Sequence, residues 1–394
     1  MQVSFSFIIP VYNRPQEIEE LLDSLFAQTF SQPFEIVVVE DGSTLTSEEV
    51  IDVYRGRLNN RPHISLTYFK KENTGPGSSR NYGMQRAQGN YFIILDSDCI
   101  LPDDYLKTVS DSLSREFVHC YGGPDAAHAS FTPIQKAINY TMTSVLTTGG
   151  VRGKTASSKN SEGEQSVAED SLKKYPSEKH SGETHHSESH PGTGHPKGKH
   201  PTKNKPLTGQ FQPRSFNMGL SKEIFEATGG FGNIHPGEDP DLTFRIWEKG
   251  YPTKQFPEAF VYHKRRIDLQ KFFVQVKKFG MVRPILNRRY PKMKKMAYWF
   301  PTLFCLGFVA ALILGFLGIK LPLFFYLLYF VLLFVDSLLK NRSLSIALLS
   351  LVAAGVQFTG YGYGFLKSTI FLTFSNRKAE ELFPELFFNS TATA

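Results

Sequence analysis

Three long apolar runs near the end of the chain restrict its folding more than any other feature. Residues 297–319 carry no charge and are rich in Phe, Leu and Ala; 321–339 is interrupted only by Asp336, and 343–366 meets its first charge at Lys367. A hydrocarbon core about 30 Å thick is crossed by roughly 20 apolar residues in a helix, because backbone polar groups there have no water and must bond to one another. Two or three spans are therefore expected over 297–370, with a tail at 371–394. The glycines from Gly360 to Gly364 could bend or end the third helix and leave 368–374 at the interface.

Ahead of these runs, a chain of 394 residues has room for one large domain. The formal charge of +7 is local: 264–295 holds 12 Lys and Arg against one acid, Asp268, so this segment carries +11 and the remainder −4. A basic cluster just before a first span is what the positive-inside rule places on the cytoplasmic side, where it can bind anionic headgroups. No nucleic-acid partner is indicated. Phe272, Phe273, Val276 and Phe279, interleaved with Lys and Arg, give 264–296 the pattern of a basic amphipathic helix at the membrane surface. The apolar run 5–11 lacks a basic leader and passes at once into Asn13 and Arg14, unlike a signal peptide. The expectation is a multi-pass inner-membrane protein whose amino-terminal domain is cytoplasmic. Cys99, Cys120 and Cys305 are too few and dispersed for a disulfide framework or a structural zinc site.

Within 1–150, β-rich runs alternate with helical patterns. Residues 3–9 precede Asn13-Arg14-Pro15, a helix start followed by Ile18, Leu21, Leu22 and Leu25 at helical spacing. Ile36-Val37-Val38-Val39 is the near-continuous apolar run of a strand covered on both faces. Strand patterns recur at 64–69 and 91–95, with helical patterns around Val50, Ile51 and Val53 and over 79–87. Such alternation implies an α/β fold with a mixed, mostly parallel sheet and helices on both faces, which binds ligands at the carboxyl ends of its strands. Residues 151–207, dominated by Ser, Lys, Glu, Gly, Pro and His, cannot bury enough surface to offset chain entropy and read as a disordered insertion. It contains six of the 11 histidines, His180, His185, His186, His190, His195 and His200. The domain resumes over 208–263.

Each expected strand ends in polar residues that a packed loop does not need: Asn13 and Arg14, then Glu40-Asp41-Gly42-Ser43, then Asp96-Ser97-Asp98. Two carboxylates spaced i, i+2 at a strand end can hold Mg²⁺ or Mn²⁺ between protein and phosphate oxygens, since these ions prefer oxygen ligands and leave places for substrate. An Asp-X-Asp triplet alone is also common in solvated turns.

Taken together, these segments resemble the inverting glycosyltransferases of family 2, which have the GT-A fold. Ile8-Ile9-Pro10-Val11-Tyr12-Asn13 is similar to the family's opening strand, with Pro10, Tyr12 and Asn13 on the nucleotide-sugar side. Val39-Glu40-Asp41-Gly42-Ser43 resembles the nucleotide-contacting turn, implying that Asp41 accepts a hydrogen bond from the base. The segment from Asn73 to Asn81, with Asn73, Gly75 and Arg80, resembles the loop and helix start near the donor, where Arg80 and free amide groups could favour a diphosphate. Asp96-Ser97-Asp98 resembles the DXD signature, implying that Asp98 ligates the metal and Asp96 touches the ribose or the cation. Gly237-Glu238-Asp239-Pro240-Asp241-Leu242 resembles the catalytic Glu-Asp motif. An acceptor hydroxyl must lose a proton as it attacks the anomeric carbon, and a nearby carboxylate suits that task; Asp239 is the expected base, with Glu238 the alternative. Arg245 either positions that carboxylate or forms a surface ion pair. His263 stands where the family places a further metal ligand, and neutral imidazole suits Mn²⁺.

The resemblance thus implies transfer of a sugar from a nucleotide-diphospho-sugar donor to a lipid-linked or glycan acceptor. One departure bears on the product. Processive polysaccharide synthases of the same broad family carry Gln-X-X-Arg-Trp, whereas this chain has Gln275-Val276-Lys277-Lys278-Phe279, losing the guanidinium fork and the indole donor. Single-sugar transfer is expected over polymerisation. The alternatives are a processive synthase and a membrane-tethered scaffold with a degenerate nucleotide pocket.

Overall fold

A computed structural model describes residues 2–126, 131–148, 211–263 and 268–388. The insertion read at 151–207 lies outside them.

The first half winds as expected: β1 (Phe5–Val11), α1 (Pro15–Phe26), β2 (Phe34–Asp41), α2 (Glu48–Arg57), β3 (Ile64–Lys71), α3 (Pro76–Arg86) and β4 (Tyr91–Leu95). It continues through β5 (Cys99–Ile100), α4 (Tyr105–Arg115), β6 (Cys120–Gly122), β7 (Asp125–Ala126), α5 (Pro133–Thr143) and the single turn α6 (Val145–Thr148). Next come β8 (Asn217–Ser221), α7 (Lys222–Thr228), α8 (Glu238–Glu248), β9 (Thr253–Gln255) and β10 (Val261–His263). The main sheet has the order β3-β2-β1-β4-β8-β6-β9. β1 to β4 are mutually parallel, and β8 runs antiparallel to both β4 and β6. A second sheet, β5-β10-β7, closes one corner.

Alternation along the central strands divides the interior into two layers. Phe7, Ile9, Ile36, Val38 and Ile93 enter one core cluster with α1, α2 and α4, whereas Ile8, Val37, Val39, Phe92 and Ile94 enter another with α3, α7 and α8. Side chains two apart share a face of a strand, so a run apolar at every position must be covered on both sides. With β1, β2 and β4 parallel, Tyr12-Asn13-Arg14, Asp41 and Asp96 all emerge at one edge of the sheet.

After β10 the chain forms α9 (Leu269–Arg289), α10 (Phe300–Phe316), α11 (Leu321–Asn341) and α12 (Leu344–Phe374). α10 and α11 fold back on one another, with Gly315 beside Leu323 and Gly307 beside Tyr326. The third apolar run behaves differently. Its most apolar window is 39% covered by protein, against 11% for each of the other two helices. α12 leaves α11 at a Ser337–Ser350 hydrogen bond of 2.8 Å, packs on α5 and α9, and ends where Arg288 donates to the Leu372 carbonyl at 3.2 Å. The glycines read as a possible bend do not interrupt it. A Cβ on Gly364 would lie 2.2 Å from the Lys277 carbonyl oxygen, and one on Gly360 2.7 Å from Val276. They form instead a seam of small residues that lets two helix backbones approach, as in the packing of membrane helices. α9 is correspondingly no free surface helix, because Phe272 and Val276 are buried beneath α12.

The tail then returns to the amino-terminal domain through α13 (Ala379–Leu382) and a short 3₁₀ turn. Glu380 pairs with Arg289 at 2.8 Å, the Leu386 carbonyl accepts from the His235 backbone at 2.8 Å, and Phe388 N–H donates to the Asn233 carbonyl at 2.9 Å.

Candidate active site

At the edge where the parallel strands end, hydrogen bonds knit the turns together. Asn13 has φ of 54°, a left-handed conformation that Asn tolerates by bonding locally. Its Oδ1 accepts from the backbone N–H groups of Thr44 and Leu45, each at 2.9 Å, tying the end of β1 to the turn after β2. Gly42 is required there: φ is 70°, and a Cβ would meet the Asn73 backbone nitrogen at 2.5 Å. Asp41 is 4% exposed. One of its oxygens accepts from Thr74 N–H and the other from Gly75 N–H, both at 3.0 Å, and Lys71 forms an ion pair with it. The structure thus gives Asp41 a task beyond any base contact, which is to pin the 73–75 loop against β2.

Arg80, expected near the donor diphosphate, is neutralised within the fold. The residue is 3% exposed, its guanidinium held by Asp96 at 2.8 Å and Glu238 at 3.4 Å, with the Phe231 ring centroid 5.1 Å away. A buried cation needs counter-charges, and these come from β4 and from α8, 158 positions downstream. Arg80 is therefore the clasp between the two halves of the site. Asp96 turns toward it, while Asp98 faces the other way.

Asp98 Oδ1 lies 3.0 Å from His263 Nε2, and its Oδ2 accepts from Arg14 at 2.9 Å. Burial alone would raise its pKa, but the hydrogen bond and charge of His263, with those of Arg14, bring it below the usual carboxylate value. β10 pairs His263 directly with Cys99 of β5, and Phe216 stacks on the imidazole at 5.2 Å. Asp98, Cys99 and His263 bring potential ligand atoms within 4.8 Å of one another. The Cys99 thiol is not a credible ligand: burial, then the charges of Asp96 and Asp98, push its pKa well up, and it donates to the Phe216 carbonyl.

α8 begins at Glu238, so both acids of the Glu-Asp motif lie in its first turn, where the helix dipole favours negative charge. Their environments separate them. Glu238 is opposed by burial, yet its hydrogen bond to His235 at 2.9 Å and the charges of His235 and Arg80 take it down to about 2. Asp239 is raised from 3.8 to about 6, first by burial and then by the charge of Glu238. Its Oδ1 is shielded from solvent and has no hydrogen-bond partner. Arg245 does not position this carboxylate: it pairs with Asp241 at 2.9 Å and donates to the Thr228 carbonyl.

Pro10, Tyr12, Asn13, Asp41, Asn73, Gly75, Arg80, Asp96, Asp98, Glu238, Asp239 and His263 all line one cleft of about 1930 Å³. Several of its other walls carry no sequence signal of their own. Phe388 lies over Gly75, where a Cβ would sit 2.3 Å from its ring. His235 was legible only as a histidine three positions from Glu238. One face of α9 also enters the cleft, carrying Gln275, Lys278 and Arg283.

A mostly parallel sheet with a carboxylate-lined cleft at its strand ends, followed by apolar helices, defines the GT-A class of sugar-nucleotide folds. Over residues 6–168 the chain matches the model for "Glycosyl transferase family 2", and over 216–337 that for "Glycosyl transferase family group 2". Each match spans less than half of the chain, and both are to models of family 2 glycosyl transferases. Among relatives, poly(ribitol-phosphate) beta-N-acetylglucosaminyltransferase TarS of Staphylococcus aureus is 36% identical over 106 residues, covering 27% of this chain and 18% of that protein. Glycosyltransferase GlyA of Streptococcus pneumoniae is 37% identical over 102 residues, or 26% and 14% of the two chains. These matches span less than a fifth of either relative. The mannosyltransferase PcManGT of Pyrobaculum calidifontis, solved in complex with GDP-Man and Mn²⁺, superposes with a TM-score of 0.50 at 16% identity, covering 91% of this chain and 88% of that one.

Proposed function

We propose that this chain transfers one sugar from a nucleotide-diphospho-sugar to a hydroxyl of a lipid-linked or glycan acceptor at the membrane, in a single inverting displacement. The observation that carries the reading is Asp239, a carboxylate with a shielded, unpartnered oxygen and a pKa raised to about 6, facing the cleft that the donor turns also line. It remains ionised at neutral pH and is a stronger base than an exposed carboxylate, as proton removal from a hydroxyl requires. Glu238, tied to Arg80 and His235, serves to hold the site's charge and geometry. The 41–43 and 73–75 turns would receive the nucleotide.

Asp98 and His263 are the residues that would hold a divalent cation, with Asp96 on the donor side. A carboxylate oxygen with an imidazole nitrogen at one point of the cleft suits Mn²⁺ better than Mg²⁺, which takes oxygen ligands, and the Mn²⁺ and GDP-Man of the mannosyltransferase complex support that use. Bound there, the cation would neutralise charge on the departing diphosphate. The Lys278-Phe279 departure from Arg-Trp supports single transfer.

The helices support a membrane hairpin with the catalytic domain on the cytoplasmic side. α10 and α11 would cross and return, while α12 lies along α9 and α5, since it packs on both, its carboxyl end is held by Arg288 of α9 and the tail beyond it returns to Asn233 and His235. Tags at the two termini should then be digested from the same face of sealed vesicles; digestion from opposite faces would mean that α12 also crosses.

The test of the activity is a panel of nucleotide sugars offered to purified membranes with and without Mn²⁺. Asp98→Asn and Asp239→Asn should each abolish transfer while the protein stays folded, and full activity in either overturns its assignment. Polymer formed from a single donor would instead identify a processive synthase.

A further inference from the structure

The catalytic cleft continues past Asp239 toward the first apolar helix, and its far wall is chemically unlike its near one. The near wall is acidic, built from Asp96, Asp98, Glu238 and Asp239. The far wall is cationic: Lys278 and Arg283 project from one face of α9, and Lys295 follows from the segment leading to α10. Residues 275, 278, 279, 282 and 283 recur at the three- and four-residue spacing of one helix face, beside the side on which Gly280 of α9 meets α12. Val282, on the cleft face, abuts Gly237 just ahead of the Glu-Asp pair, so this row of cations begins beside the proposed base.

Among the described residues, Lys278, Arg283 and Lys295 form no ion pair with any carboxylate, whereas Lys271, two turns before Lys278 on the same helix, is engaged by Asp268 at 3.3 Å. Arg283 Nη1 is shielded from solvent without a hydrogen-bond partner, and so is the Oε1 of Gln275. The Arg283 guanidinium is fixed 4.3 Å from the centroid of Tyr298, which orients its remaining donors. A buried donor left unmade costs stability unless something in the functional complex accepts from it. Beyond these cations the cleft is walled by Phe300 and Pro301 of α10 and by Tyr361 of α12, at the start of the apolar segment.

Building on the transferase reading, we propose that the acceptor is a lipid carrying a phosphate or diphosphate, gripped by Arg283, Lys278 and Lys295. Its apolar tail leaves along Phe300, and the sugar hydroxyl beyond the phosphate reaches Asp239. A phosphoryl oxygen supplies the acceptor that Arg283 lacks, and Arg presents a planar fork suited to it. A neutral glycan would leave the cations on this wall of the cleft uncompensated. The donor diphosphate is an unsuitable owner for them, since its binding turns lie on the other wall, at the strand ends.

The experiment uses the full chain in neutral phosphatidylcholine nanodiscs, with farnesyl diphosphate and farnesol as probes and GDP and UDP as donor-site competitors. Farnesyl diphosphate should bind at least about tenfold more tightly than farnesol, in a mode that GDP and UDP do not displace, because a charge-assisted hydrogen bond is worth about a tenfold factor or more. Arg283→Gln and Lys278→Gln should each remove about that factor, Arg283→Lys should keep part of it, and nucleoside diphosphate binding should stay unchanged, which also shows that the variants are folded. Equal binding of farnesol and farnesyl diphosphate overturns the proposal. So does a parallel loss of GDP and UDP binding in the variants, which would assign the cations to the donor. Competition by phosphatidylglycerol vesicles as effective as that of farnesyl diphosphate would also overturn it, by marking a site for bulk headgroups. Failure of the donor reading is separately visible as wild-type protein that binds neither GDP nor UDP while still preferring farnesyl diphosphate.

Discussion

Exchange of Asp239 for Asn should move stability and activity in opposite directions, and the size of the stability change follows from the site. A carboxyl held at about 6 instead of 3.8 costs the folded state about 3 kcal/mol once it is ionised in both states, at 1.36 kcal/mol per pH unit. Because part of the residue reaches the cleft, about 2 kcal/mol is the better figure. The sign is set by proton binding. The folded chain holds the proton more tightly than the unfolded one, so the protonated form contributes its full stabilisation below pH 3.8. That contribution is lost as pH rises toward 6, and above 6 the penalty is complete. Asn is neutral throughout and keeps an oxygen able to accept from Ser215, the hydroxyl bonded to Asp239. At pH 8 the variant should therefore melt several degrees above the wild type, given about 2–4 °C per kcal/mol for a domain of this kind. At pH 5 the gap should shrink to about half, because the penalty builds up between 3.8 and 6, and below pH 3.8 it should close. Sugar transfer should fall by about 10² to 10⁴, the usual contribution of a general base. Intrinsic fluorescence of the detergent-purified chain during heating at both pH values, beside a transfer assay, reads the two effects. A melting difference independent of pH, or a variant that still transfers sugar, would refute the reasoning.

The wild-type transfer rate itself should fall about tenfold per pH unit below 6 and level off above it, measured under saturating donor; a flat profile from pH 5 to 7 would remove Asp239 as the base. Arg80→Gln strands Asp96 and Glu238 beside Asp239 and should cost about 3–5 kcal/mol, as breaking buried ion pairs does, seen as an earlier midpoint in chemical denaturation of the purified protein. In the same variant the activity profile should move to higher pH, since the cation that lowers Asp239 is gone. Gly364→Val puts a Cβ 2.2 Å from the Lys277 carbonyl and should force α12 off α9 at a cost of about 1–3 kcal/mol, read as a lower melting temperature than that of Gly355→Val, where a Cβ meets nothing.

What the amino-acid order determined alone was whatever depends on near neighbours. Alternation of apolar runs with helical spacing is a local pattern, so strands at 3–9, 36–39 and 91–95 could be read from it, and with them the single edge at which Asn13, Asp41 and Asp96 appear. Length and absence of charge likewise marked three apolar helices. Tertiary structure decided everything that depends on which distant groups meet. Arg80 was legible as a cation at a helix start, but its neutralisation by Asp96 and by Glu238, 158 positions on, arises only when α8 docks on α3. The same docking pushes the pKa values of Glu238 and Asp239 apart, although the two are adjacent in sequence and chemically near-equivalent. Phe388 reached the cleft, and Arg283 became a cation without a carboxylate, through long-range packing that leaves no periodic trace. The third apolar run has the hydropathy of a span, because hydropathy records what a helix can be buried in. The glycine seam with α9, and a tail that returns to the domain where the chain began, put protein against one side of it.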